Sequence, residues 1–262
     1  MRVPGAQRVL KKIQRTMRDA PVAIFARKPG YHYVPDYYGR SAHKQPDLTV
    51  EPQFGELARR AIEGRRTLLY YDRLHTIYQC LRDLVRCFGT DALRTSEIGV
   101  YRGGTSRFIL ETLAALGVAK PALDCFDTFE GHSGVDLRAG VDDLDVHTTS
   151  TFKVDGIYQS VIEMLKAYPD VRVHKGRVQE TWRALPHKLH FIHLDVDLYD
   201  PTMFVLRQLD TILEPGGFVV VDDYGFVTCE GAKQAVDEYL EAAPRYSFMP
   251  LLTGQCVLVK RA

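Results

Sequence analysis

Short apolar runs alternate with segments of helical periodicity along most of the chain. In residues 71–88, apolar side chains recur every three or four positions, as in an amphipathic helix. Strand-like runs follow at residues 96–100, 122–127, 171–174, 191–195 and 217–222. The helical patterns that separate them include residues 105–116, 201–213 and 231–242. This alternation predicts a parallel sheet with helices on both faces.

The last two apolar runs, residues 246–252 and 255–260, are joined through Thr253 and Gly254. A parallel crossover needs about a dozen residues or more, so two strands this close must be antiparallel. The predicted fold class is therefore α/β, with a seven-stranded, mostly parallel sheet that ends in a C-terminal antiparallel hairpin.

The first 65 residues do not follow this pattern. Basic residues between positions 8 and 18 precede segment 28–40, which is rich in tyrosine, proline and glycine. We predict that residues 1–65 form a helical and loop extension and that residues 66–262 form the α/β domain. Aromatic-rich loops suit ligand contact, so the extension is interpreted either as a peripheral element or as a lid or oligomer arm.

Composition narrows the class of protein without indicating its function. Of the 262 residues, 45% are hydrophobic and 26% charged, which is typical of a globular protein, and the formal net charge is +1. This balance gives no electrostatic reason to expect a nucleic acid or a membrane as partner. The five cysteines are scattered without a C-x-x-C pair, and no run approaches the ~20 apolar residues of a membrane helix. Because the N-terminus also lacks the apolar core of a signal peptide, we expect a soluble cytoplasmic protein with reduced thiols.

A glycine-containing segment follows the first strand, at the edge where open α/β sheets bind ligands. Gly99 and Gly103 let a ligand approach the backbone, and Thr105 or Ser106 can cap the next helix. The glycine spacing does not match the dinucleotide motif G-x-G-x-x-G. Glu97 would repel a pyrophosphate but suits the ammonium of an amino-acid ligand. The alternative interpretation is a tight turn without a ligand.

Asp127 ends the second strand, where an acid can accept hydrogen bonds from both hydroxyls of an adenosine ribose. The alternative interpretation is that this carboxylate caps the following turn or helix. Asp124 lies inside the same strand and is less suited to contact a ligand.

Three aspartates end the fourth and fifth strands, Asp195 on one and Asp222 with Asp223 on the other. Neighbouring parallel strands would bring them to one rim, where the carboxylates would repel one another unless a cation lay between them. Hard carboxylate oxygens favour Mg²⁺, Ca²⁺ or Mn²⁺. Such a cation could hold two hydroxyl oxygens of a substrate and lower the pKa of one. Any single aspartate could instead be a cap, and Asp200 before Pro201 is interpreted as one.

Four motifs carry a family resemblance. They are Glu97-x-Gly-x-x-x-Gly-Gly104, Asp127-Thr-Phe-Glu-Gly131, His193-Leu-Asp-Val-Asp-Leu-Tyr199 and Glu214-Pro-Gly-Gly-Phe-Val-Val-Val-Asp-Asp-Tyr-Gly225. Together they resemble the macrocin O-methyltransferase (TylF-like) family, from about residue 71 to residue 239. Its members include metal-dependent sugar O-methyltransferases of antibiotic biosynthesis. The resemblance implies a Rossmann-like class I methyltransferase fold, S-adenosylmethionine as methyl donor, and Mg²⁺ or another hard divalent cation.

The resemblance also implies a role for each strand end. The residues implied to bind the donor are Glu97, Gly99, Arg102, Gly103, Thr105, Ser106, Asp127, Gly176, Arg177 and Asp195. The implied metal ligands are Asp195, Asp222 and Asp223. Within the donor set, the glycine-containing segment lines the methionine end, Asp127 takes the ribose, and residues 176–180 fall at the adenine. Asp195 is also the first choice as general base, with Asp197 as the second.

The sequence departs from the family in the loop after the second strand. Residues 132–147, which we term the acidic loop, are long and rich in aspartate where the family has a substrate-facing loop. We expect the choice of acceptor to depend on this loop and on the N-terminal extension. His132 is interpreted either as a substrate contact or base, or as an exposed loop histidine without such a role.

The leading hypothesis is methyl transfer to a hydroxyl of a sugar, in a nucleotide-sugar or a glycosylated natural product. A catechol-type phenol is the nearest alternative acceptor, since the same metal would bind two adjacent phenolic oxygens. A related hydroxylase of β-lactam biosynthesis is a second alternative, but the aspartate-rich site shows no two-histidine arrangement for a redox iron. A non-catalytic module that only binds the donor is a third. The family also implies a homo-oligomer.

Overall fold

The computed structural model describes residues 51–91, 93–185, 188–242 and 245–261. These residues belong to one compact unit, Glu51–Ala262. The prediction of a lid or oligomer arm falls mainly on residues 1–50, which lie outside the described residues, and it stays a prediction. The end of the predicted extension forms helix α1 (Pro52–Glu63), whose buried Phe54 contacts the rings of His75 and Tyr78.

Seven strands form one sheet. They are β1 (Thr95–Ile98), β2 (Leu123–Asp127), β3 (Val171–Lys175), β4 (Leu189–Leu194), β5 (Leu213–Val221), β6 (Tyr246–Pro250) and β7 (Cys256–Lys260). Their order is β3-β2-β1-β4-β5-β7-β6. Strands β1 to β5 are parallel, and β7 is antiparallel to both β5 and β6. The mostly parallel sheet and the hairpin predicted from the sequence are confirmed.

Helices occupy most of the connections between the strands. After α1 they are α2 (Tyr71–Phe88), α3 (Gly104–Ala115), α4 (Ile157–Leu165), α5 (Val178–Thr181), α6 (Tyr199–Ile212) and α7 (Glu230–Ala242). Helix α2 packs against α3, and α6 packs against α7. Among the described helices, none combines the length and the apolar character needed to cross a bilayer.

The first strand is buried along its whole length, although three of its four residues are polar. The hydroxyls of Thr95 and Ser96 donate to the carbonyls of Ala122 and Asp124, at 2.6 and 2.8 Å, so their burial leaves no unpaired donor. The chain runs from β1 outward to β3 and then crosses back to β4 on the other side of β1. Such a switch point opens a crevice at the carboxyl ends of the strands, where a ligand can bind.

The predicted cap of helix α3 is wrong. The helix begins directly after Gly103, whose φ of 77° turns the chain before Thr105 and Ser106 are reached. These two side chains lie inside the first turn and make other hydrogen bonds. Thr105 bonds to the hydroxyl of Thr67 at 2.8 Å, and Ser106 donates to the carboxylate of Glu97.

The predicted cap of helix α6 is also wrong. The helix begins at Tyr199, so Asp200 lies in its first turn and not at the position that precedes it. The N–H of Tyr199 donates instead to Oδ1 of Asp142 at 3.0 Å. The helix is therefore capped by Asp142 of the acidic loop, and not by Asp200, the neighbouring residue that the sequence suggested.

Candidate active site

A cavity of about 310 Å³ opens at the carboxyl ends of β1, β2 and β4. The sequence-predicted residues in its wall are Gly99, Thr105, Asp127, His132, Gly176, Arg177, Asp195, Asp197 and Asp223. The predicted residues that lie outside the wall are Glu97, Arg102, Gly103, Ser106 and Asp222. Six of the ten residues implied to bind the donor and two of the three implied metal ligands thus face the same space.

Gly99 marks the closest approach between the β1 loop and β4. Its φ is 91°, and a Cβ there would overlap the backbone carbonyl oxygen of Asp195. The N–H of Asp195 also donates to the carbonyl of Ile98 at 2.8 Å. Glycine is required at this position because any side chain would push apart the two loops that form the cavity wall.

Asp127 connects the loops that follow β1 and β2. Its Oδ2 accepts from the N–H groups of Val100 and Tyr101 at 2.7 and 2.8 Å, and its Oδ1 accepts from that of Phe129 at 2.6 Å. Burial raises the pKa of Asp127, and the backbone donors oppose that rise. The turn-stabilising interpretation is therefore correct, while ribose binding by the same carboxylate stays a prediction.

Glu97 does not reach the cavity surface. Its buried carboxylate accepts a hydrogen bond from Ser106 and lies 3.2 Å from Nδ1 of His193. Burial raises the pKa of Glu97, while the contact with His193 opposes that rise. These bonds hold the start of α3 against β4. Contact of Glu97 with an ammonium group of a ligand stays a prediction.

The structure brings the three aspartates at the ends of β4 and β5 together. One carboxylate oxygen from each of Asp195, Asp222 and Asp223 lies within 4.8 Å of the others. Burial raises the pKa of Asp195 and Asp223 well above the usual value, and the neighbouring carboxylates raise it further. Asp222 differs, because one oxygen accepts from Arg73 and the other from Gln255 at 2.8 Å. Burial would raise its pKa, but Arg73, His193 and Gln255 together outweigh that effect and lower it.

Three residues around this cluster were not expected from the sequence. Arg73 lies on α2, Gln255 directly precedes β7, and His193 lies on β4. His193 is fully buried, 3.2 Å from Glu97 and 3.7 Å from Asp222. Burial alone would lower the pKa of His193, but Asp222 and Glu97 raise it to about 10. Strand alternation could have identified His193, which shares a face with the aspartate two positions later, whereas the other two residues carry no local signal.

A second polar group lies beside the aspartates. Nε2 of His132 is 3.1 Å from Nδ1 of His147 and 3.8 Å from Oδ2 of Asp197. The side chain of His132 is only 9% exposed, so its interpretation as an exposed loop histidine is wrong. The expectation that no two-histidine arrangement exists is also wrong, because the acidic loop folds back and brings its two end residues together.

Arg177 lines the cavity with its guanidinium already paired. Asp136 accepts from its Nε at 3.0 Å and its Nη2 at 2.6 Å, and Glu180 accepts from Nη1 at 3.0 Å. The hydrogen bonds with Asp136 raise the pKa of Arg177 and anchor the acidic loop. The N–H of Gly176 donates to the carbonyl of Asp127 at 2.9 Å. The segments implied to contact adenine and ribose are therefore adjacent.

The strand order, the glycine-containing loop after β1 and the acids after β4 and β5 define a class I methyltransferase. The family profile described as Macrocin-O-methyltransferase (TylF) matches residues 46–257. The chain therefore belongs to this family of S-adenosylmethionine-dependent O-methyltransferases. This membership confirms the family, the enzyme class and the fold that the sequence led us to expect.

Named relatives and a solved structure agree with this membership. A demethyldecarbamoylnovobiocin O-methyltransferase from Streptomyces niveus is 30% identical over 215 residues, which cover 77% of this chain and 79% of that enzyme. An 8-demethyl-8-(2,3-dimethoxy-alpha-L-rhamnosyl)-tetracenomycin-C 4'-O-methyltransferase from Streptomyces olivaceus is 32% identical over 154 residues, which cover 55% of this chain and only 56% of that enzyme. The structure of the O-methyltransferase NovP is 27% identical with a TM-score of 0.65, and the match covers 75% of this chain and 83% of that one.

Proposed function

We propose that this protein is a Mg²⁺-dependent enzyme that transfers the methyl group of S-adenosylmethionine to a hydroxyl of a sugar, in a nucleotide-sugar or a glycosylated natural product. The observation that carries the proposal is the cavity shared by Gly99 and Asp127 on one side and by Asp195 and Asp223 on the other. The name of the tetracenomycin relative includes a rhamnosyl group, which favours a sugar as acceptor here.

The donor side of the cavity fits an adenosyl group mainly through backbone. Gly99 and Gly176 line this part of the cavity, and the glycine at position 99 lets the loop after β1 lie directly against Asp195 in the cavity wall. Asp127 accepts three backbone hydrogen bonds, and a carboxylate has about four lone-pair sites, so it retains capacity for a ribose hydroxyl. These features support placing the ribose at Asp127 and the adenine along residues 176–177.

The acidic side fits a hard divalent cation. Asp195, Asp222 and Asp223 offer the oxygen ligands that Mg²⁺ prefers. Burial and then mutual repulsion raise the pKa of Asp195 and Asp223, and a cation would relieve the repulsion. When bound, such a cation supplies positive charge that favours loss of a proton from the acceptor hydroxyl. Arg73, which lines the cavity, and the fully buried His193 hold Asp222 in place.

Asp195 is the proposed general base. It faces the cavity, and its two oxygens allow one to contact the cation while the other accepts the acceptor's proton. Asp197 is the second choice, because its oxygens already lie near other groups. Its Oδ1 accepts from the thiol of Cys229 at 3.4 Å, and its Oδ2 is 3.8 Å from Nε2 of His132.

The test is a transfer assay with the full-length protein and isotopically labelled S-adenosylmethionine, against nucleotide-sugars, glycosides and catechols. We expect labelled product from a sugar acceptor, no product after chelation of divalent cations, and recovery on addition of Mg²⁺. Transfer that is insensitive to the chelator would remove the metal from the mechanism. Transfer to catechols alone would replace the sugar by a phenol as acceptor.

A further inference from the structure

The histidine pair at the ends of the acidic loop forms a group of ligand atoms distinct from the aspartate cluster. One atom from each of His132, His147 and Asp197 lies within 4.8 Å of the others. The two ring nitrogens that face each other are 3.1 Å apart. Two imidazole nitrogens on one tetrahedral Zn²⁺ would be roughly 3.3 Å apart, given Zn–N bonds of about 2.0–2.1 Å. The two nitrogens would therefore have to move apart only slightly to bind one ion.

The orientation of His147 is the second observation that points to a metal. Its Nε2 lies 2.7 Å from the carbonyl oxygen of Thr228, and this bond requires the proton on Nε2. In the neutral imidazole, Nδ1 of His147 therefore carries no proton, and its lone pair points at His132. Metal-binding histidines are typically oriented in this way, by donating the other ring N–H to a backbone carbonyl or carboxylate.

The chemistry of the donors separates the two groups. The aspartate cluster offers only oxygen, which suits Mg²⁺, whereas two imidazoles and one carboxylate suit a borderline transition metal.

We propose that His132, His147 and Asp197 form a second cation site, beside the aspartate cluster, that binds Zn²⁺ or a similar divalent transition metal. The site uses Nε2 of His132, Nδ1 of His147 and Oδ2 of Asp197. His132 and Asp197 also line the cavity, so an ion held there faces the same space as Asp195 and Asp223.

Cys229 defines a competing arrangement. Its Sγ is 3.4 Å from Oδ1 of Asp197, and these two residues also cluster with Asp223. The thiol lies 3.8 Å from Nε2 of His147, the nitrogen that donates to Thr228. The other ring nitrogen, Nδ1, is the one that faces His132. A Zn²⁺ bound through Cys229 would therefore use different atoms, and a cysteine variant distinguishes the two arrangements.

Calorimetric titration of Zn²⁺ into the full-length protein, with Mg²⁺ in excess, tests the proposal. We expect His132→Gln to weaken Zn²⁺ binding by more than about tenfold. Cys229→Ser and the control His75→Gln, which removes a histidine paired with Glu51, should leave the Zn²⁺ affinity unchanged. Unchanged affinity in His132→Gln, or loss of binding in Cys229→Ser, would overturn the proposal.

Anomalous diffraction at the zinc edge gives a second test that needs no variant. Crystals of the full-length protein soaked in Zn²⁺ should show an ion about 2.0–2.1 Å from Nε2 of His132 and from Nδ1 of His147. An ion found only among Asp195, Asp222 and Asp223, or no ion beside the histidines, would refute the assignment.

Discussion

Arg73, near the start of α2, donates to the carboxylate of Asp222, which lies 149 positions later at the end of β5. Asp222 is fully buried, and the Arg73 side chain is 19% exposed. The guanidinium also donates to the carbonyl of Leu68 at 2.8 Å, which fixes its direction. The helix that leads into the sheet therefore supplies a positive charge to the acidic cluster, and this charge keeps Asp222 ionised beside Asp195 and Asp223.

Arg73→Met should lower the free energy of unfolding by about 3 kcal/mol, because the buried carboxylate of Asp222 would lose the guanidinium that donates to it. Arg82→Met is the matched control. It removes an ion pair with Glu51 in which both side chains are about a third exposed, and its cost should stay below about 1 kcal/mol. Urea denaturation of both variants measures the difference, and equal losses would contradict the role given to Arg73.

Mg²⁺ binding should release protons. Burial and mutual repulsion raise the pKa of Asp195 and Asp223, so these groups hold protons to a higher pH than ordinary carboxylates. A cation binds only the ionised form, so its affinity should increase as pH rises and the protons leave. Calorimetry at one pH in two buffers of different ionisation enthalpy measures the release. Identical heats in both buffers would show that the carboxylates were already ionised.

Asp195→Asn should reduce the rate of methyl transfer by at least about 10²-fold, because the amide cannot accept the proton of the acceptor hydroxyl. Donor affinity should change much less than the rate, since Asp127 and the glycine-containing loop are untouched. Asp197→Asn, measured in parallel, should retain the greater share of activity. The opposite ranking of the two variants would make Asp197 the base.

Asp127→Asn should weaken the binding of S-adenosylmethionine by about tenfold or more, because a charge-assisted acceptor for the ribose contributes about 1.5–3 kcal/mol. The NH₂ group of the asparagine would also face a backbone N–H, such as that of Phe129, which now donates to the carboxylate. Glu130→Gln, which changes an exposed acid of the same loop paired with Lys175, serves as the control. Calorimetric donor affinities that match in both variants would argue against ribose binding at Asp127.

Gly99→Ala and Gly140→Ala separate backbone strain from close packing. Both glycines have positive φ, 91° and 78°, so each alanine should cost roughly 1–2 kcal/mol of stability. A Cβ at position 140 meets nothing within 4 Å, whereas one at position 99 would overlap the backbone of Asp195. We expect a larger fall in the melting temperature, and loss of donor binding, only for Gly99→Ala. Similar melting temperatures for the two variants would contradict the close approach.

The parts of the structure that depend on local pattern could be predicted from the sequence. Short apolar runs and helical periodicity indicate the strands and helices, and the short Thr253-Gly254 link requires the antiparallel hairpin. Because parallel strands end at one edge, the residues after them could be expected to meet, as Asp195, Asp222 and Asp223 do.

The parts that depend on contacts between distant segments could not be predicted. Arg73 and Gln255 reach Asp222 only because α2 and the hairpin pack beside β5, and neither has a distinctive neighbouring sequence. The pairing of His132 with His147 needs the conformation of a whole loop. The helix cap assigned to Asp200 failed for the same reason, since the acceptor for the first amide comes from another segment.

The acidic loop is held both by backbone atoms and by side chains of other segments. Asp142 accepts from the backbone N–H of Tyr199, and His147 donates to the backbone carbonyl of Thr228, atoms that any amino acid at those positions provides. Asp136 instead pairs with the side chains of Arg177 and Gln179. A related enzyme that receives residues 132–147 would therefore supply the backbone contacts at once, but it would also need the partner side chains that follow β3. Exchange of the loop is thus coupled to the segment implied to contact the adenine, and acceptor preference and donor binding should change together when that pairing is lost.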